Sequence, residues 1–235
     1  ADRIAASVAG KVRAPDLAAV ASERHILLAP HTGDQLRIVI SAYHRAAHSI
    51  GLGDYDTARR VLERARQHLD DSPSGRALAI QLNLRSAVLC ARAADAAAAD
   101  EYIAEARAIA AQFDPPDRPY FNIDASMLNI DVHWCAAPVE NYDAAEAVRR
   151  GGQVHLSDPS RPERIGHHHI DQARAWMLQG DRERALQELN AARETAPRST
   201  RHHPSVKETI LAMAEHDRRA TDSLSGFARW VGIEL

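Results

Sequence analysis

A turn followed by small and aliphatic residues at a fixed spacing recurs along this chain and leaves few folds open to it. In QGDRERALQELNAARETAP, residues 179–197, Gly180-Asp181 marks a turn, and Ala185, Leu189 and Ala192 follow at intervals of four and three. Those intervals trace one stripe of a helix with 3.6 residues per turn. Pro197 is a stop signal for that helix. Upstream, HHIDQARAWMLQ sets Ile170, Ala173, Trp176 and Met177 on one side of a second helix. The unit therefore reads as helix, Gly-Asp turn, helix, Pro. Ala173, Ala185 and Ala192 are small enough to let two antiparallel helices approach closely.

The pattern returns at Gly53-Asp54 with Ala58, Leu62 and Ala65, and at Ala94-Asp95 with Ala99, Ile103 and Ala106. A weaker fourth copy reads from Asn141 with Ala145 as its anchor. The anchors Ala58, Ala99, Ala145 and Ala185 stand 41, 46 and 40 residues apart. A tetratricopeptide unit carries an aromatic residue before its turn, then A-x3-F, then Pro, over about 34 residues. Trp176, Ala185-x3-Leu189 and Pro197 fill those roles. Strand signals are nearly absent: aromatic residues make up 5% of the chain, and no stretch alternates apolar and polar β-branched positions. The predicted fold is all-α, a tetratricopeptide-like right-handed superhelix of helical hairpins with long repeats and about eleven helices in all.

Along the chain, residues 1–33 form an N-terminal segment with one linker helix. That helix runs from Asp16 as N-cap to about Leu28 and is closed by Pro30 and Gly33. Residues 34–235 read as one tetratricopeptide-like sensor or interaction domain. Its helix pairs are 34–50 with 54–70, 75–93 with 95–113, 120–136 with 140–151, and 163–178 with 181–195. DPPDRP at 114–119 and GGQVHLSDPSRP from 151 break the series. Pro204 suits the first turn of a helix to about Arg218. A terminal helix from Ser223 to Trp230 would cap the open end with Leu224, Phe227 and Val231.

Charge and motifs exclude several function classes. The net charge is −3 with acids and bases interspersed, so no basic stripe is dense enough for nucleic acid. No apolar run reaches the roughly 18 residues of a membrane span, and no secretory leader is visible. Cys90 and Cys135 read as buried thiols in a reducing, cytoplasmic setting. Ala and Arg are abundant while Lys occurs only at Lys11 and Lys207, a codon bias of high-GC bacteria. There is no G-x-S-x-G elbow, P-loop, dinucleotide fingerprint or H-E-x-x-H, so a binding protein is expected rather than an enzyme. The 13 histidines include His44 and His48, His167-His168-His169, and His202-His203. Consecutive helical residues point about 100° apart, so three in a row cannot share one ion. No metal and no cofactor are expected.

Several stretches resemble a known family. LNIDVH at 128–133 resembles a T-N-V-x-x-H segment, and 168–197 resembles an H-x-x-D-x-A-R-A-x-x-x-x-G-x-x-x-x-A-L hairpin. RHHPSVKETI at 201–210 resembles R-x-H-P-x-V-R-E-x-V, and LSGFARWVGI at 224–233 resembles a closing L-x-x-L-A-x-x-L-G-I. These segments belong to actinobacterial XRE-type (lambda-repressor-like) helix-turn-helix transcription regulators. The resemblance covers most of 34–235. It implies a C-terminal tetratricopeptide-like sensor region, with DNA contacted only through a helix-turn-helix domain. The chain carries no such motif ahead of residue 34, so it is not expected to bind DNA specifically by itself.

In such a solenoid the first helix of each hairpin lines the inner surface. Spacing then nominates Tyr43; Gln81; Asn129, His133 and Trp134; and His167, Asp171 and Arg174, over an apolar floor that includes Ile130 and Ile170. Amide side chains offer both donor and acceptor to an extended peptide, and Arg174 can grip a carboxylate. Two functions follow. In one, a peptide or small-molecule ligand fills the groove and alters the position or dimerisation of an attached DNA-binding domain. In the other, the groove is a constitutive protein-protein interaction scaffold.

Overall fold

The computed structural model describes residues 2–11, 14–112, 120–156, 159–216 and 222–234. Among them are thirteen α-helices, two short 3-10 turns and no strand. The chain is all-α. It divides into two compact units, Ala1–Ala137 and Pro138–Leu235.

The first unit contains α1 (Asp2–Lys11), α2 (Pro15–Leu28), α3 (Gln35–Gly51), α4 (Tyr55–Arg66), α5 (Pro73–Arg92), α6 (Ala96–Ala110) and most of α7 (Met127–Glu140). Successive helices pair, α1 with α2, α3 with α4, and α5 with α6; α2 packs on α3, and α3 and α4 pack on α5. The core has two parts. Val39, Ile40, Ala58, Leu62, Leu78 and Leu82 join α3, α4 and α5. Ile80, Leu84, Ala99, Ile103, Ala106 and Ile130 join α5, α6 and α7. The Tyr120 hydroxyl donates to Asp34 Oδ2 at 2.7 Å, tying the segment before α7 to the start of α3.

The second unit contains α8 (Ala144–Gly151), α9 (Pro162–Leu178), α10 (Arg182–Thr195), α11 (Pro197–His202), α12 (Pro204–His216) and α13 (Asp222–Val231). Helix α9 is its centre and touches α8, α10, α11 and α12. Ile170, Ala173, Ala185, Leu189, Ala192, Val206, Ile210, Leu224 and Phe227 form one buried cluster there, with Trp176 and Met177 packed against it.

Four turns share one construction. Gly53, Ala94, Tyr142 and Gly180 each adopt the left-handed conformation, with φ of 77°, 61°, 60° and 84°. An aspartate follows every time. Its amide reaches back five residues: Asp54 to Ser49 O, Asp95 to Cys90 O and Asp181 to Trp176 O at 2.9 Å, and Asp143 to Pro138 O at 2.8 Å. The left-handed residue satisfies the last carbonyls of one helix. The aspartate carboxylate then caps the next, accepting from the amides of Thr57, Ala98, Glu146 and Arg184 at 3.0–3.1 Å. Four residues after each aspartate sits a fully buried alanine: Ala58, Ala99, Ala147 and Ala185.

The fourth anchor is therefore Ala147, two residues beyond the expected Ala145, which is exposed. The turn is Tyr142-Asp143, not Asn141: Tyr142 takes the left-handed conformation, the Asp143 amide closes the loop on Pro138 O, and the Asp143 carboxylate caps α8. Residues 1–33 hold two helices where the sequence suggested one. Ala14, not Asp16, occupies the N-cap position of α2; Pro15 opens the helix and Asp16 sits in its first turn. Helix α7 starts at Met127, seven residues later than expected. Pro197 ends α10 by opening α11, which raises the helix count. The expected break at 114–119 and Arg218 lie outside the described residues.

Candidate functional site

In the first unit the nominated polar residues are held by the chain itself. Gln81 is 7% and Asn129 1% exposed. Their side-chain amides both donate to one acceptor, the carbonyl oxygen of Asp124, at 2.7 Å each. His133 Nδ1 lies 2.8 Å from the Asn129 carbonyl, one turn back on α7. The Arg107 guanidinium lies over the half-buried Trp134 ring at 4.9 Å and bonds Asp131 at 2.8 Å. Arg85 lies over the ring of Tyr43 at 4.3 Å. So α3, α5 and α7 each carry their expected residues. Gln81 and Asn129 meet directly at Asp124, while Tyr43 sits in a separate stack.

In the second unit, Asp171 and Arg174 come together as expected from their spacing on α9. Arg174 Nη1 donates to Asp171 Oδ1 at 3.2 Å and to Glu140 Oε1 at 2.6 Å. Burial pushes the Asp171 carboxyl up to about 6; Arg174 opposes the rise and Glu140 adds to it. Burial works against the charge of Arg174, but the two carboxylates outweigh it and raise its pKa. His167 stands edge-on to His203, with ring centroids 4.9 Å apart. Burial, then Arg174 and Arg164, hold His203 down to about 4, and its Nδ1 has no partner among the described residues. His168 is likewise held to about 4 by burial and by His169, with Glu188 opposing. His169 itself bonds Glu188 at 2.7 Å. Burial thus disfavours the charged form of His168 and of His203. Among the described residues no cluster of three or more His, Cys, Asp or Glu could hold a metal ion.

Arg174 also lines a cleft of about 480 Å³ wholly within the second unit. Its walls come from the end of α7 (Val139), the turn residue Tyr142, the end of α9 and its turn (Met177, Leu178, Gly180, Arg182), and α12 (Ser205, Glu208, Thr209, Ala212).

No family model, curated protein or solved structure matches the chain.

The site must therefore be read from its own chemistry. The cleft joins an apolar wall to two guanidinium groups, one carboxylate and three hydroxyl-bearing residues, and its volume suits a small ligand. Of the residues nominated from sequence, only Arg174 lines it. Glu140, Tyr142 and the α12 residues went unnoticed because they lie far from Arg174 in sequence and no helical period links them. One signal was present: Glu208, Thr209 and Ala212 repeat at one, three and four residues along α12, the spacing of one helix face. Cys90 and Cys135 are buried and not joined in a disulfide. Among the described residues no helix is long and apolar enough to cross a membrane.

Proposed function

We propose that this chain is a tetratricopeptide-like right-handed superhelix of helical hairpins. It serves as the sensor region of a bacterial transcription regulator of the XRE type and takes a peptide or small-molecule ligand on its inner face. The observation that carries this reading is the repeated turn. Four joints with the same left-handed residue, the same capping aspartate and the same buried alanine favour hairpins built to one plan. Stacked hairpins of this kind make extended binding surfaces. The resemblance of 128–133, 168–197, 201–210 and 224–233 to actinobacterial regulators supplies the regulatory half of the reading. DNA contact belongs to a helix-turn-helix domain outside this chain.

The scaffold reading gains support from one observation. Gln81 and Asn129 are committed to Asp124 O, so their amides are less available to an incoming peptide than their residue types suggest.

The indole N–H signals of Trp134, Trp176 and Trp230 give a direct test. Titration with pools of short peptides and small metabolites should shift the Trp134 or Trp176 signal saturably at micromolar concentrations. A chain that responds to no pool, yet forms a stable complex with a purified partner protein, is a scaffold. Gel retardation of promoter fragments by residues 1–235 should show no sequence-dependent binding; nanomolar, sequence-dependent retardation would overturn the assignment of DNA contact to another domain.

A further inference from the structure

We propose that the cleft of the second unit binds a small apolar carboxylate through Arg174. This rests on the ligand-binding part of the reading above and adds the place and the chemistry. Arg174 is positioned before any ligand arrives. Its Nη1 alone carries both ion pairs, to Glu140 and Asp171. Nε and Nη2 have no partner among the described residues. Those two donors are the fork that a carboxylate takes in two parallel bonds. The side chain is 27% exposed, so such a bond would form in a partly desolvated setting.

The charges around the cleft agree. Two guanidinium groups, Arg174 and Arg182, line it against one carboxylate, Glu208. Arg182 pairs with no carboxylate among the described residues. The remaining wall is apolar, from Val139, Met177, Leu178 and Ala212, which suits a hydrocarbon group attached to the acid. Ser205 and Thr209 add hydroxyl donors from α12.

Glu140 and Asp171 behind the guanidinium would repel an anion if both stayed charged. Asp171 relieves that, because its carboxyl is already held up to about 6. A ligand anion at Arg174 raises it further and draws a proton onto Asp171. Arg174, Glu140 and Arg164 are the charged groups acting on Asp171. Binding should therefore tighten as pH falls from 8 to 6.

The carboxylate can come from a free amphiphilic acid or from the C-terminus of an apolar peptide. The test titrates the full chain with octanoate, with octanol, and with a hexapeptide ending in Leu-Leu as free acid and as amide. The readout is the Trp176 indole signal, next to Met177 in the cleft wall, with Trp134 in the first unit as reference. Octanoate or the free-acid peptide should shift Trp176 saturably, and whichever acts identifies the source. Octanol and the amide should bind at least about tenfold more weakly, the loss of a charge-assisted pair. Arg174→Lys should weaken the active acid by about tenfold, because a single ammonium cannot form the fork. Ala212→Phe fills the cleft from a half-buried position and should abolish the response without lowering the melting temperature. Equal binding of octanol and octanoate, or full binding by Ala212→Phe, would overturn the inference. A peptide response at Trp134 alone would also overturn it while leaving the sensor reading in place.

Discussion

Gln172 on α9 bridges to α8: its side-chain amide donates to the carbonyl of Ala147 at 3.1 Å and lies directly over Gly151. A β-carbon added at Gly151 would collide with the Gln172 side-chain amide. Gly151→Ala should displace the amide and cost about 1–2 kcal/mol, the value of a buried hydrogen bond plus the orphaned carbonyl. Gln172→Ala should cost a similar amount for the same reason. The double variant should be much less than additive, since both changes break one contact. Urea denaturation of the three variants measures this directly.

The left-handed turn positions make opposite substitutions diagnostic. Ala94 holds φ of 61°, which costs an L-residue about 1 kcal/mol, whereas glycine holds it freely. Ala94→Gly should therefore be neutral or stabilising, although glycine elsewhere in a helical chain destabilises. Gly180→Ala, at φ of 84°, should cost about 1 kcal/mol or more. Thermal melts of the pair decide it: a lower melting temperature for Ala94→Gly would contradict the turn geometry.

Acid should weaken the fold through two buried histidines. His168 and His203 titrate near 6.5 when unfolded and are held to about 4 in the folded chain. Between those values the unfolded state binds more protons, so stability is present above 6.5 and is lost as pH falls towards 4. Asp171 runs the other way. Its folded value near 6 exceeds the ordinary 3.8, so the folded state binds the extra proton in that window and gains as pH falls. Two histidines against one carboxyl leave a net loss. Stability measured by denaturant at pH 5 should be below that at pH 7.5, and His168→Gln with His203→Gln should flatten the difference.

Gln81 and Asn129 share one acceptor, which sets up a coupled pair. Gln81→Ala or Asn129→Ala alone leaves Asp124 O with one donor and should cost about 1 kcal/mol. Removing both strips the two side-chain donors from the carbonyl that joins α5 to α7. The double variant should cost more than the sum of the singles by about 1 kcal/mol. A double-mutant cycle by chemical denaturation reads the coupling. Strict additivity would mean the two amides do not compete for that oxygen.

The helices were legible because their signals are local. Ala58, Leu62 and Ala65 repeat at helical spacing beside a turn residue, and the structure buries all three. The same logic found Ala99, Ile103 and Ala106. It slipped at the fourth copy because Tyr142 does not look like a left-handed residue. Glycine advertises that conformation, as at Gly53 and Gly180; a tyrosine does not. Helix α1 was missed because its apolar residues are mostly small and its two large ones, Ile4 and Val8, stay exposed at 59% and 54%, so no buried stripe marks it. At the site, Asp171 and Arg174 were readable as neighbours three apart. Glu140 was not, since its 34-residue separation from Arg174 is closed only by tertiary packing. Nor does a residue name reveal prior commitment: Asn129 is a good donor whose amide already has its acceptor.

The four joints also set where this chain can change length. From each capping aspartate to its buried alanine the distance is always four residues, so the inside of a hairpin is metered from its turn. The alanines Ala58, Ala99, Ala147 and Ala185 are nevertheless 41, 48 and 38 residues apart. All of that variation falls outside the metered interval. Insertions and deletions between one hairpin and the next can be absorbed without retuning either, whereas a single residue added between Asp181 and Ala185 would rotate the whole of α10 by about 100° and turn its alanine stripe away from α9.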